Sequence, residues 1–371
     1  MFQNRFLSLC LAILIASVVS AVLLWTQDAH ASVSDLPRKD DRPLENIAGF
    51  KTHYGSVRVE SDVRLRTLIT IPEKPKTPTH PLLFTQWVSC GSLEFKNDNN
   101  QLAMIARDSG LALVRVERAG SGDSEGPSCG ELDYNTEVQH YITAFKMLLN
   151  SELFDSSEVF VYGSSLGSTT APLVGLALQS AGHNIAGIVV QGGGGLTHYE
   201  RMLNFDRIYL ERRPDAVSPQ EIHNEMNARA KFHAAYLIEE RHPDEVAKDG
   251  PDMAAVRGDV RGLSDTHHYG RPFRWHQQAA QRNFLQAWAL LDAQVLVIFN
   301  EFEQFEVQHG HQVIVDTVNR LRPGTARLVV QRGLGHSGWR FENAIEAYED
   351  KKGKPEPSTT ANTIVQWLRA Q

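Results

Sequence analysis

Between Gly55 and Ile71 apolar and polar residues alternate, with Val57, Val59, Val63, Leu65 and Leu68 as the apolar set, which is the period of a strand pair. Lys74 to His80 holds two prolines and reads as a loop, and Leu82 to Trp87 is a short apolar run that predicts a buried strand. Gln101 to Ser109 has helical character and meets a stop at Gly110. Leu111 to Val116 predicts another strand. Thr136 to Leu149 carries Val138, Tyr141, Ile142, Phe145, Leu148 and Leu149 at helical spacing. Val159–Tyr162 (strand), Ser165–Ser180 (helix) and Ile185–Val190 (strand) follow. Two antiparallel strands succeeded by strand and helix in alternation imply a mostly parallel sheet with helices on both faces.

The alternation stops at about residue 196. Residues 196–285 are polar, helix-prone and rich in Arg, Glu, His and Asn, without a convincing buried strand. It resumes with Val295–Phe299 (strand), His309–Arg320 (helix), Ala326–Gln331 (strand) and a helix over Ala361–Ala370. The pattern divides the chain into a core segment at 32–195, a helical cap insertion at 196–285 and a second core segment at 286–371. Residues 32–50 read as an extended polar leader. Gly192–Gly195, after a strand, lacks the Lys-Ser/Thr end of a nucleotide loop and reads as a flexible exit into the insertion.

The first 31 residues stand apart. Arg5 precedes an apolar run from Phe6 to Trp25, and Ala29-His30-Ala31 offers a small-x-small cleavage point. This is the pattern of an export signal, cut after Ala31, with a periplasmic or secreted product. The rival reading is an uncleaved membrane anchor, since about 20 apolar residues can span a bilayer. Cys10 sits mid-run after Leu9, a poor context for lipid attachment. Removing the segment leaves Cys90 and Cys129, an even pair that an oxidising compartment would join; two buried free thiols are the alternative.

The full chain has 371 residues, about two domains' worth, or one large α/β domain with an insertion. With 42% hydrophobic and 22% charged residues a substantial core is available and global disorder is excluded. A net charge of -7 provides no basic excess for phosphates, which argues against nucleic acid as a partner.

Candidate chemistry begins at Gly163-Ser164-Ser165-Leu166-Gly167, a G-x-S-x-G pattern between a predicted strand and a predicted helix. A tight strand-to-helix turn needs small residues on either side of the central serine. It lifts the Ser165 hydroxyl clear of the backbone, in front of the free N–H groups of the helix start. Ser164 is not central and is not the expected nucleophile. With this motif in place the sequence resembles the α/β-hydrolase superfamily, most closely its prolyl-oligopeptidase-like and dienelactone-hydrolase-like members. Leu82–Val88 resembles the strand and loop carrying an oxyanion donor. Glu117-Arg118-Ala119-Gly120-Ser121-Gly122-Asp123-Ser124-Glu125-Gly126 resembles the R-G-x-G-x-S-x-G turn, with Ala119 for the first Gly. Gly333-Leu334-Gly335-His336 resembles the loop of the catalytic histidine.

The resemblance implies Ser165 as nucleophile and His336 as base. It places Glu303, in Asn300-Glu301-Phe302-Glu303, where the family usually has G-E-x-D; Glu301 and Glu306 are the fallback acids. Glu is one C–C bond longer than Asp, about 1.5 Å, and Asn300 replaces a Gly. The oxyanion donors would be the N–H groups of Leu166 and Val88, with Trp87 next. The loops bearing Cys90 and Cys129 would emerge at one sheet edge, where a bridge would brace the mouth of the site.

No metal or organic cofactor is implied: His267-His268 and His309-x-His311 lack a matching acidic or cysteine cluster and read as surface or cap histidines. Arg212, Arg213, Arg271, Arg274, Trp275 and Trp288 offer contacts to an acidic or aromatic substrate, or a solvated face with a few packing aromatics. The expected activity is that of a serine hydrolase on a small-molecule ester, with a short peptide as the alternative substrate. A non-catalytic binding protein on the same fold is the remaining class.

Overall fold

A ten-stranded sheet runs through the molecule. The computed structural model of the chain describes residues 36–39, 43–73, 79–213, 218–349 and 353–371. The apolar run at 6–25 and the expected cleavage point after Ala31 lie outside the described residues. Among the described residues, no helix is long and apolar enough to cross a membrane.

The strand pair expected from the alternation is β1 (Phe50–Glu60) and β2 (Val63–Pro72), antiparallel to each other. Strands β3 (Pro81–Thr85), β4 (Ala112–Val116), β5 (Val159–Ser164), β6 (Ile185–Gln191), β7 (Gln294–Phe302) and β8 (Ala326–Gly335) follow. The spatial order is β1-β2-β4-β3-β5-β6-β7-β8, closed by the two-residue strands Trp339–Arg340 and Lys354–Pro355. From β4 to β8 every neighbour is parallel. The central parallel strands are covered on both faces, so β3 and β4 are buried at every position.

Alternate strand residues feed two separate cores. Leu83, Val114, Val161 and Ile188 face α2 (Tyr134–Leu149), α3 (Gly167–Ser180) and α9 (Gln308–Leu321). Leu82, Phe84, Leu113 and Val189 face α1 (Gln101–Ser109) and the C-terminal α11 (Pro357–Leu368). Helix α1 is capped by the Asn100 side chain and ends at Gly110, in the left-handed region at φ 78°. Helix α2 begins two residues before the expected Thr136, because the Asp133 carboxylate accepts the Thr136 N–H and admits Tyr134 and Asn135 to the first turn. At Glu45 the leader lies on the domain: its carboxylate is buried against Arg115 and accepts the Phe95 N–H at 2.7 Å.

Between β6 and β7 the chain forms α4 (His198–Glu211), α5 (Pro219–His233), α6 (Pro251–Asp259) and α7 (Phe273–Ala280). Capping boxes start α4 (Thr197, Glu200) and α5 (Ser218, Glu221). This insertion has its own core of Met202, Phe232, Tyr236, Val246 and Phe273. Its strands are the two-residue pair His267–His268 and Arg271–Pro272. The next helix, α8 (Phe284–Leu290), packs Trp288 into the main core, so the expected boundary at 285–286 falls inside a helix. Helix α10 (Ala344–Glu349) lies between β8 and α11.

Two sequence expectations are corrected here. Gly192–Gly194 is not a flexible exit but a buried turn with φ of 80°, 136° and 112°, a backbone that favours glycine. Its Gly193 N–H donates to His311 Nε2 at 2.9 Å, and the Gly194 carbonyl accepts the Trp288 indole N–H at 2.9 Å. His311 is therefore not a surface histidine: it is fully buried at the start of α9, bonded also to the Val307 carbonyl at 3.0 Å.

Candidate active site

Strand β5 delivers the chain to Ser165 at the carboxyl edge of the sheet. Ser165 is one of the few non-glycine residues with positive φ among the described residues, at 52°. The sequence places it at the head of the helix, but α3 begins two residues later, at Gly167. The turn is held by the Ser165 N–H, which donates to the Gln191 carbonyl at 2.7 Å. A Cβ on Gly163 would run into the Gly167 carbonyl, and one on Gly167 into the Thr85 carbonyl. The flanking glycines are thus required by close backbone approach, and the strained central residue is kept by its surroundings.

His336 arrives from the loop after β8, with Ser165 Oγ 2.9 Å from its Nε2. Glu303, the first residue past β7, places Oε2 at 2.7 Å and Oε1 at 3.0 Å from its Nδ1. The carboxylate side chain is 1% exposed and the imidazole 15%. The Asn300 amide donates to the Gly335 carbonyl at 2.7 Å and so ties the acid's strand to the histidine loop. Burial pulls the His336 pKa down, but the charge and hydrogen bond of Glu303, with Glu306 behind it, outweigh that and hold it above 6.5. The fallback acids have other partners. Glu301 is exposed and accepts the Gly333 N–H at 2.8 Å. Glu306 is buried and clamped by Arg201 through Nε, at 2.8 Å, and Nη2.

Leu166 and Val88 meet in one apolar cluster with Trp275. Among the described residues, neither backbone N–H has a protein acceptor. The loop carrying Val88 is braced from below. Arg118 donates to the carbonyls of Gln86 (3.0 Å) and Ser89 (2.8 Å) and pairs with Glu137 at 2.7 Å. Burial pushes the Glu137 carboxyl up, but Arg118 and Arg271 outweigh it and hold it below the ordinary carboxylate range. Trp275 Nε1 adds a hydrogen bond to Glu137 at 3.2 Å.

The Cys90–Cys129 disulfide, with Cα atoms 5.7 Å apart, ties this loop to the segment before α2. The Cys90→Ser, Cys129→Ser double variant should lose about 4 kcal/mol of unfolding free energy, from the chain-entropy relation at a separation of 39 residues. Urea unfolding checks this. An unchanged midpoint would show that the Arg118–Glu137–Arg271 network holds the loop without the bridge.

The basic and aromatic residues singled out in the insertion disperse. Arg271 is buried on Glu137, 3.1 Å away. Arg212 bonds the Glu303 carbonyl at 3.3 Å, Arg213 pairs with Asp259 at 3.1 Å, and Arg274 is exposed. His267 bonds Glu131 at 3.2 Å and His268 the Arg261 carbonyl at 3.2 Å, while His309 is exposed. Among the described residues, no group of three or more His, Cys, Asp or Glu side chains could hold a metal ion.

Above Ser165 lies a cavity of about 750 Å3, walled by Trp87 and Leu102 from the core and by Met202, Phe205, Trp275 and Phe305. Reading the sequence missed the polar groups on this wall, His198, Arg201 and His276, and the brace at Glu137. Glu137 carried a usable signal, an acid on the apolar face of α2 between Tyr134 and Val138; the polar wall had none, because the insertion is polar throughout.

No protein-family model matches the sequence, and no curated protein matches it. Solved structures do. The esterase Pf2001 of Pyrococcus furiosus is similar at a TM-score of 0.50 and 10% identity, over 91% of this chain and 97% of that one. VinJ is similar at 0.50 and 14% identity, over 86% of this chain and 98% of that one. DcsB, solved with a substrate analogue, is similar at 0.50 and 13% identity, over 86% and 99%. Strand order, elbow and these likenesses together define an α/β-hydrolase fold.

Proposed function

We propose that this chain is an exported serine hydrolase that cleaves a small-molecule carboxylic ester through an acyl-enzyme. The observation that carries the reading is the unbroken contact from Ser165 Oγ to His336 to Glu303, with Ser165 and His336 on the wall of a mostly apolar cavity. Ser165 attacks the ester carbonyl carbon while His336 Nε2 takes the hydroxyl proton. The carbonyl π electrons move onto oxygen, where the N–H groups of Leu166 and Val88 receive the charge. The intermediate collapses, the C–O bond to the alcohol breaks, and His336 returns its proton to the leaving oxygen. Water, deprotonated by His336, repeats the sequence and frees the acid. Glu303 holds the Nδ1–H tautomer and stabilises the imidazolium. The apolar leader and the disulfide support export, and the esterase assignment of the Pyrococcus furiosus neighbour points to the same bond class.

A fluorophosphonate probe tests the mechanism: wild type labels and Ser165→Ala does not. A panel of p-nitrophenyl esters against aminoacyl and X-Pro anilides tests the bond, with turnover of the anilides alone favouring a peptidase.

The raised His336 pKa has a signed consequence. The base form must be neutral, so kcat/KM should rise with pH along a limb whose midpoint lies above 6.5. Glu303→Gln removes the largest upward influence and should move that limb to lower pH. A wild-type midpoint below 6.5 would contradict this account of the site.

A further inference from the structure

The cavity wall opposite the sheet carries a histidine pair that the proposed chemistry does not use. His276 Nε2 lies 2.6 Å from the His268 carbonyl, and His276 Nδ1 lies 2.9 Å from His198 Nε2. Both rings are 2% exposed, and both residues line the cavity above Ser165. A carbonyl only accepts, so His276 Nε2 carries a proton. In a neutral ring its Nδ1 then accepts, so His198 Nε2 is the donor between the two. His198, neutral as well, is left with an unprotonated Nδ1. Burial holds both rings well below the ordinary histidine value, with the Arg201 charge one turn along adding to the effect at His198. Among the described residues, His198 Nδ1 has no protein partner. The Trp275 ring packs edge-on against the His198 ring, at 5.8 Å between centroids, which limits its rotation.

A buried acceptor of fixed tautomer on a cavity wall is a recognition group. We propose that His198 Nδ1 accepts a hydrogen bond from the substrate, so that the ester carries a hydroxyl or an amide N–H on the part lying against the insertion. This rests on the serine hydrolase reading above. The other polar pair on that wall does not compete for the role: Arg201 is already committed to Glu306, so the two charges cancel and offer no site for a free carboxylate. A buried acceptor left empty by a purely aliphatic ester costs the complex its desolvation, which is why such sites discriminate by absence more than by contact.

The test compares p-nitrophenyl butyrate and hexanoate with their 3-hydroxy and 6-hydroxy counterparts, together with the N-acetylglycine ester, on the full-length protein. At least one donor-bearing ester should exceed its plain counterpart in kcat/KM by about tenfold or more. His198→Phe keeps the ring and loses the acceptor, and should bring that ratio to within about twofold. His198→Asn, whose Oδ1 stands at the same bond distance from the backbone as Nδ1, should retain part of the preference. Histidine 15N NMR of the wild type should show His198 as the Nε2–H tautomer, whatever the variants do. Absence of any preference in wild type, its survival in His198→Phe, or a protonated Nδ1 would each overturn the inference. Failure of wild type to label with fluorophosphonate would instead overturn the hydrolase reading, so the two are told apart.

Discussion

Ser165→Ala should lower kcat/KM toward an ester by on the order of 10^5- to 10^6-fold and abolish fluorophosphonate labelling, with the circular dichroism spectrum unchanged. The reason is geometric. The hydroxyl stands 2.9 Å from the imidazole proposed to take its proton, and no other hydroxyl has that contact among the described residues. His336→Ala should cost a similar factor, and the double variant little more than either single one. In the proposed mechanism the two side chains act as one device, so the second loss removes nothing that still functions. The residual rate should come from the N–H groups of Leu166 and Val88 and from the cavity walls. Ser164→Ala should still label, because Ser164 belongs to the end of β5 and not to the apex of the turn. Retained turnover in Ser165→Ala, measured against an inactive-site blank, would remove the nucleophile from the account.

Glu303→Gln should lower kcat by about 10^4-fold, the scale seen when a triad acid is replaced by its amide. An amide at this place no longer fixes the Nδ1–H tautomer and leaves the imidazolium without a charge 2.7 Å away. Glu303→Asp shortens the arm by about 1.5 Å and should cost about 10^2-fold, the order expected for an ångström of misplacement. Glu301→Gln should stay within a fewfold, since that carboxylate accepts the Gly333 N–H and pairs with the exposed Arg332 rather than with His336. The reverse pattern, an untouched Glu303→Gln and a dead Glu301→Gln, would move the acid to the exposed side of the loop. Steady-state kinetics on the three variants at a pH above the His336 limb makes the comparison.

Much of the scaffold is legible in the residue pattern alone. Short runs dominated by apolar residues mark β3, β4 and β5, because a strand covered on both faces has no side turned to water; Arg115 in β4 is the polar exception, buried against Glu45. Boundaries shift by a few residues: the Asp133 cap lengthens α2, and β3 ends at Thr85, before the expected Trp87, at its last backbone pairing with β5. The glycine run at 192–195 misleads because glycine allows both a loose linker and a crowded turn. Only the partners, His311 and Trp288, decide between the two.

The order of strands and helices, the small residues around Ser165 and the paired cysteines are written in the chain itself, since periodicity, steric size and parity act over a few residues or need no geometry at all. The tertiary structure decided which of three glutamates faces the imidazole, that Arg118 and Glu137 brace the Val88 loop, and that His198 lines the cavity. These depend on groups such as Ser165 and His336, 171 positions apart, being brought within hydrogen-bonding distance. Direction and distance between remote side chains are set by the packing of two cores against one sheet, and no local pattern encodes them.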